Sequence, residues 1–103
     1  MFTAIIPVKF EELFVYLTIY PECNVFFTWS KCHWCQKAQP EIERATQQGC
    51  RYPVLQLLAD DHDGLQRLAN LEGYPTIRRY SSGKIHEFNR PRTQEELHTF
   101  LNH

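Results

Sequence analysis

No repeat, low-complexity tract or linker-like stretch interrupts this 103-residue chain. No apolar run approaches the roughly 20 residues that a membrane span needs. Charge of one sign is also missing: 11 Lys+Arg stand against 12 Asp+Glu, a formal net charge of −1. Nucleic acid and anionic membrane surfaces therefore lack electrostatic support as partners. The first 20 residues carry Lys9, Glu11 and Glu12 inside their apolar stretches. They have no positive start and no continuous apolar centre, so no signal peptide is expected and the sequence predicts a cytoplasmic protein. Cysteine is sparse, at four residues, while 43% of the chain is apolar and 14% aromatic. That composition predicts one domain over residues 1–103, with a hydrophobic core that needs no disulfide scaffold.

Two of the four cysteines stand three positions apart, in Cys32-His33-Trp34-Cys35. Such a pair can close and reopen a disulfide ring, or hold half of a zinc site. The flanks favour redox chemistry. The apolar run Val25–Trp29 precedes the motif and a helix-like segment, 36–48, follows it. Strand, C-x-x-C, then helix is the setting in which the motif reads as a redox couple. A zinc site would need two more ligands, and Cys23 and Cys50 form no second close pair. These two read as spare thiols, with a second disulfide or regulatory oxidation as the other options.

Along the chain, Ile5, Ile6 and Val8 suggest a short edge strand. Phe10, Leu13, Phe14 and Leu17 recur at helical spacing over 10–19. Residues 25–29 make a strand that is apolar on both faces. Trp34, Ala38, Ile42 and Ala45 mark the inner stripe of a second helix, kinked at Pro40 and closed by Gly49. A third strand spans 54–59. Asp61 or Asp63 can cap a short helix with Leu65, Leu68, Ala69 and Leu71. Strands over 77–80 and 84–88 form a hairpin about Ser81-Ser82-Gly83. Thr93 and Glu96 make a capping box for a last helix carrying Leu97, Phe100 and Leu101. The order βαβαβαββα predicts an α/β fold with a mixed sheet and helices on both faces.

In this arrangement the chain resembles the thioredoxin superfamily over about residues 5–101. The resemblance rests on Trp29–Cys35 at the active-site position, Pro40 five residues after the second cysteine, and Gly73-Tyr74-Pro75-Thr76 at the cis-proline loop. Ser82-Gly83-Lys84 matches the family's hairpin turn. Pro40–Ala45, 73–77 and Phe88 with Pro91-Arg92-Thr93 are similar to protein disulfide isomerase domains. Several positions depart from the pattern. Phe26 stands where a buried acid is usual, Gln56 where its lysine partner is usual, and Lys31 where a tryptophan is usual. Neither glycine nor proline separates the cysteines. Arg78 and Arg79 fall within a strand that should be buried.

The resemblance implies a thiol–disulfide oxidoreductase in which Cys32 attacks and Cys35 resolves. A helix N-terminus stabilises the attacking thiolate, with Lys31 and His33 adding positive charge when protonated. His33 is expected to favour the reduced form and an oxidising couple; a potential near about −270 mV would count against that. His33 also reads as a plain solvated residue, and Trp34 either as core or as an exposed substrate contact. Tyr74 is expected to precede a cis peptide bond to Pro75, the two facing the substrate. Arg92 matches an isomerase arginine assigned to proton transfer at the buried cysteine. No bound cofactor and no metal is required. The partners implied are proteins bearing disulfides or thiols, with a reductase or glutathione for recycling, and the chain is expected to be a monomer. The other readings are a disulfide oxidase or isomerase, a glutathione-dependent enzyme, and a non-enzymatic binding module on the same fold.

Overall fold

A computed structural model describes all residues 1–103. Five strands form one sheet in the order β1-β3-β2-β4-β5. They are β1 (Ile6–Pro7), β2 (Glu22–Thr28), β3 (Val54–Leu58), β4 (Thr76–Ser81) and β5 (Lys84–Glu87). The β1–β3 and β3–β2 pairs are parallel; β2–β4 and β4–β5 are antiparallel. The helices are α1 (Phe10–Ile19), α2 (His33–Gln47), α3 (Leu65–Leu68) and α4 (Gln94–Asn102), with a 3₁₀ turn at Ala59–Asp61. No helix is long and apolar enough to cross a membrane.

β2 is central, and its period-two alternation divides its side chains between two cores. Cys23, Val25 and Phe27 point toward the side of α1 and α3, joining Leu13, Leu55 and Leu65. Phe26 points the other way, joining Ala38, Ile42 and Ala45 of α2 and Leu97 and Leu101 of α4. Each fully buried side chain of this kind contributes roughly 1.5–3 kcal/mol relative to exposure. Phe26 is a core residue, with no exposed surface.

The β4–β5 hairpin turns through Ser82 and Gly83, both at positive φ, as a tight two-residue connection requires. Phe88 lies just past β5, and its N–H still donates to the Ile77 carbonyl at 2.9 Å. Gly49, at φ +102, ends α2 in the left-handed conformation that favours glycine.

Phe14 is exposed at 54% and packs edge-on against the Phe10 ring. Of the two readings of Trp34 the exposed one holds, at 61%, because Cys35 occupies the inward position of the first turn of α2. Two expectations are corrected. Neither Asp61 nor Asp63 caps α3; Gly64, at φ +74, holds the N-cap position and the helix is a single turn. At α4 the Thr93 hydroxyl accepts the Glu96 N–H, but the Glu96 carboxylate turns to Arg90, so only half of the capping box forms.

Arg78 and Arg79 are both buried. The Arg78 guanidinium donates to the carbonyls of Ala69 (2.6 Å) and Asn70 (2.9 Å) and pairs with Glu87. Arg79 donates to the Phe100 carbonyl at the end of α4, pairs with Glu22 at 3.3 Å and stacks over the Phe100 ring. Asn24 donates to the neighbouring Leu101 carbonyl at 2.9 Å. The last carbonyls of a helix have no partner within it. These two polar side chains of the sheet satisfy them, which is why a basic residue is stable in a central strand.

Candidate active site

The site lies at the C-terminal end of β2, where a turn over Trp29–Lys31 leads into α2. Cys32 is the N-cap of α2 in extended conformation, and its sulfur accepts the Cys35 N–H at 3.1 Å. A cap must have non-helical backbone and an acceptor aimed at the first free amides. A cysteine in that role has its sulfur in the positive field of the helix end. Cys32 is 9% exposed and Cys35 2%, with their Cα atoms 5.2 Å apart and the sulfurs joined in a disulfide.

The preceding turn is tied down from outside. The Ser30 N–H donates to the Asp60 carboxylate at 3.0 Å, and the Ser30 hydroxyl donates to its other oxygen. The Ser30 hydroxyl, the Ser30 amide and the charge of Lys31 together hold the Asp60 carboxyl below the ordinary carboxylate range. Thirty residues separate these partners, and no local pattern in the sequence announced the contact.

Opposite the sulfurs lies the loop ahead of β4. Tyr74–Pro75 is a cis peptide, and the Tyr74 carbonyl stands 3.5 Å from Cys32 Sγ. The Trp29 and Tyr74 rings are 6.5 Å apart, and His33 packs edge-on against Trp34 at 5.2 Å. The exposed rim around Cys32 is thus made of Trp29, Lys31, His33 and Trp34, with Tyr74 and Pro75 half-buried across from it.

A cleft of about 710 Å³ runs along the Tyr74–Pro75 loop toward Arg78 and Glu87 but contains neither sulfur. A second, of about 370 Å³, opens onto Cys35 between Trp29, Gln39 and Gln56. Arg92 is exposed on the loop before α4 and does not line this cleft. Cys23 and Cys50 are fully buried on opposite faces of the sheet and far from the site in topology. Burial pushes both thiols up to about 11. No group of three or more His, Cys, Asp or Glu is gathered anywhere in the fold.

The family model described as Thioredoxin matches residues 21–103. No curated protein sequence matches the chain. Among solved structures, the J-Trx1 fragment of ERdj5 superposes with a TM-score of 0.85 at 20% identity, covering 93% of this chain and 47% of that one. The zinc-bound form of human ERp44 gives 0.81 at 18% identity, covering 94% and 30%. The first thioredoxin domain of mouse protein disulfide-isomerase A4 gives 0.77 at 20%, covering 92% and 71%. The chain therefore spans less than half the length of the first two. At these identities the likeness is one of fold.

Proposed function

The chain belongs to the thioredoxin family, and from that premise we propose that it is a thiol–disulfide oxidoreductase acting on protein disulfides. The observation that carries the reading is Cys32 as helix N-cap, its sulfur facing the Tyr74 carbonyl beside Pro75 with Cys35 one turn away. In the reduced chain, the helix end favours the Cys32 thiolate, the form that attacks disulfides. Attack on a substrate disulfide joins Cys32 to one substrate sulfur and releases the other as a thiolate. Cys35 then attacks Cys32, closing the 32–35 disulfide and releasing the second substrate thiol. Two electrons pass to the substrate.

The substrate approaches across the rim, so Trp34, Tyr74 and Pro75 are its proposed contacts. Lys31 and His33 add positive charge near the attacking sulfur when protonated. A proton-transfer role for Arg92 rests on the isomerase resemblance alone. A cytoplasmic setting would make reduction the net direction, with a reductase or glutathione restoring the dithiol; an oxidising compartment would make the same couple an oxidase or isomerase. The proposed working unit is the monomer.

Two variants test the reading on a peptide disulfide. Cys32→Ser should abolish exchange. Cys35→Ser should accumulate a mixed disulfide at Cys32, visible as a mass increase that dithiothreitol removes. Exchange that persists in Cys32→Ser would rule out Cys32 as the attacking thiol, and a biological function that survives loss of both Cys32 and Cys35 would favour a non-catalytic binding module.

A further inference from the structure

β2 and β3 run parallel, with Thr28 in register with Leu58 at their ends. Two residues beyond those ends, Ser30 and Asp60 come side by side. One Asp60 carboxylate oxygen accepts the Ser30 N–H at 3.0 Å, and the other accepts the Ser30 hydroxyl. The remaining bonds of this turn are neutral. The Cys32 N–H donates to the Trp29 carbonyl at 3.1 Å, and the Gln36 amide donates to the Ser30 carbonyl at 3.2 Å. Asp60 is thus the charged partner of the turn that delivers Cys32.

Its sign is opposite to what the attacking sulfur needs. The charges that adjoin Cys32 in the chain, Lys31 and His33 when protonated, favour a thiolate there, as does the helix end. Lys31 enters no ion pair. The Ser30 bonds come first and the charge of Lys31 adds to them in holding the Asp60 carboxyl below its ordinary range, so Asp60 is ionised wherever a thiol titrates. Asp61 does not share this place, being paired with Lys9 at 3.4 Å. Across the sulfurs the Tyr74 carbonyl and Pro75 carry no charge.

We propose that Asp60 is a positioning residue for the redox balance of the couple: anchored on Ser30, its carboxylate offsets the charge of Lys31 and makes the Cys32–Cys35 pair more reducing. This rests on the exchange reading above. Reduction by glutathione breaks the 32–35 bond and joins two glutathione sulfurs in a disulfide. Two electrons pass to the chain. Of the two protons released by glutathione, one goes to Cys35, and the other is shared between Cys32 and solvent. A negative charge beside Cys32 lowers its thiolate fraction and so disfavours the reduced side.

Equilibration with glutathione redox buffers at pH 7, read by mass after acid quenching and alkylation, tests this. Asp60→Asn keeps an acceptor for Ser30 and removes the charge. It should favour the reduced form about threefold at low salt, with the Cys32 alkylation midpoint lower by about half a unit. At about 1 M salt, where the screening length is about 3 Å, most of that difference should vanish. Ser30→Ala keeps the charge and should shift the balance less than Asp60→Asn does; Lys31→Gln should shift it toward the oxidised form. An unchanged balance in Asp60→Asn would overturn the proposal. So would a shift that salt leaves intact, or one matched by Ser30→Ala, which is what a loosened turn would give. Should Asp60→Asn not fold, Asp60→Ser carries the same test with the same outcomes. A 32–35 pair that glutathione does not exchange in the unmodified chain would instead sink the exchange reading itself.

Discussion

Cys32 and Cys35 are set apart from Cys23 and Cys50 in the sequence by spacing and flanks, but in the structure burial does not separate them. All four are buried, and Cys35 is nearly as inaccessible as the other pair. The difference lies in what each sulfur faces. Cys32 faces the free amides of a fifteen-residue helix, and Cys35 borders an open cleft. Cys23 faces Val25, Phe27 and Leu55 in one core; Cys50 joins Ile42, Val54 and Leu101 in the other. The sheet stands between them, so they cannot pair without unfolding, which removes the second-disulfide option. On the proposed function, the difference in reactivity between the pairs comes from the helix end at Cys32 and not from burial as such.

The largest expected effect is in alkylation. With the 32–35 disulfide reduced, Cys32 should react with iodoacetamide at pH 8 roughly a thousandfold faster than Cys23 or Cys50. A thiol titrating near 11 is about one part in a thousand ionised there. Peptide mapping that finds all three labelled within tenfold of one another would break the distinction. A smaller effect sharpens it. Cys23→Ser puts a hydroxyl among apolar side chains and should cost about 1–3 kcal/mol, seen as a lower denaturant midpoint, with exchange rates retained. The smallest is in pH dependence. For Cys23 and Cys50 the folded value is raised above the unfolded one, so their contribution is complete below about 9 and is lost as pH rises toward 11. Melting temperature should fall across that window, and the fall should flatten in a Cys23→Ala/Cys50→Ala double variant.

The strand–helix order, the C-x-x-C position, the cis-proline loop and Phe26 as core were legible in the sequence. The first two and Phe26 depend on local signals, hydrophobic period and a motif at fixed spacing; the cis-proline loop followed from the family resemblance. In the sequence Trp34 stays open between core and rim, because its spacing to Ala38 and Ile42 fits a helix stripe as well as Cys35 does. Only the capping geometry at Cys32 decides which residue turns inward. Asp61 and Asp63 are good capping types, but Gly64 reaches the left-handed backbone found there and they do not. Arg79 had no local explanation, since its partners, Glu22 and the Phe100 carbonyl, come from distant parts of the chain. The same holds for the Ser30–Asp60 and Gln39–Gln56 contacts, which set the surroundings of the sulfurs.

Helix ends commonly fray at little cost. The grip of Asn24 and Arg79 on the last carbonyls of α4 removes that freedom. Lifting α4 away would strand an arginine and an asparagine in the middle of the sheet, so the helix has no inexpensive partial opening of its own. Its amide hydrogens should exchange with solvent at the pace of β2 and β4, as members of one cooperative unit.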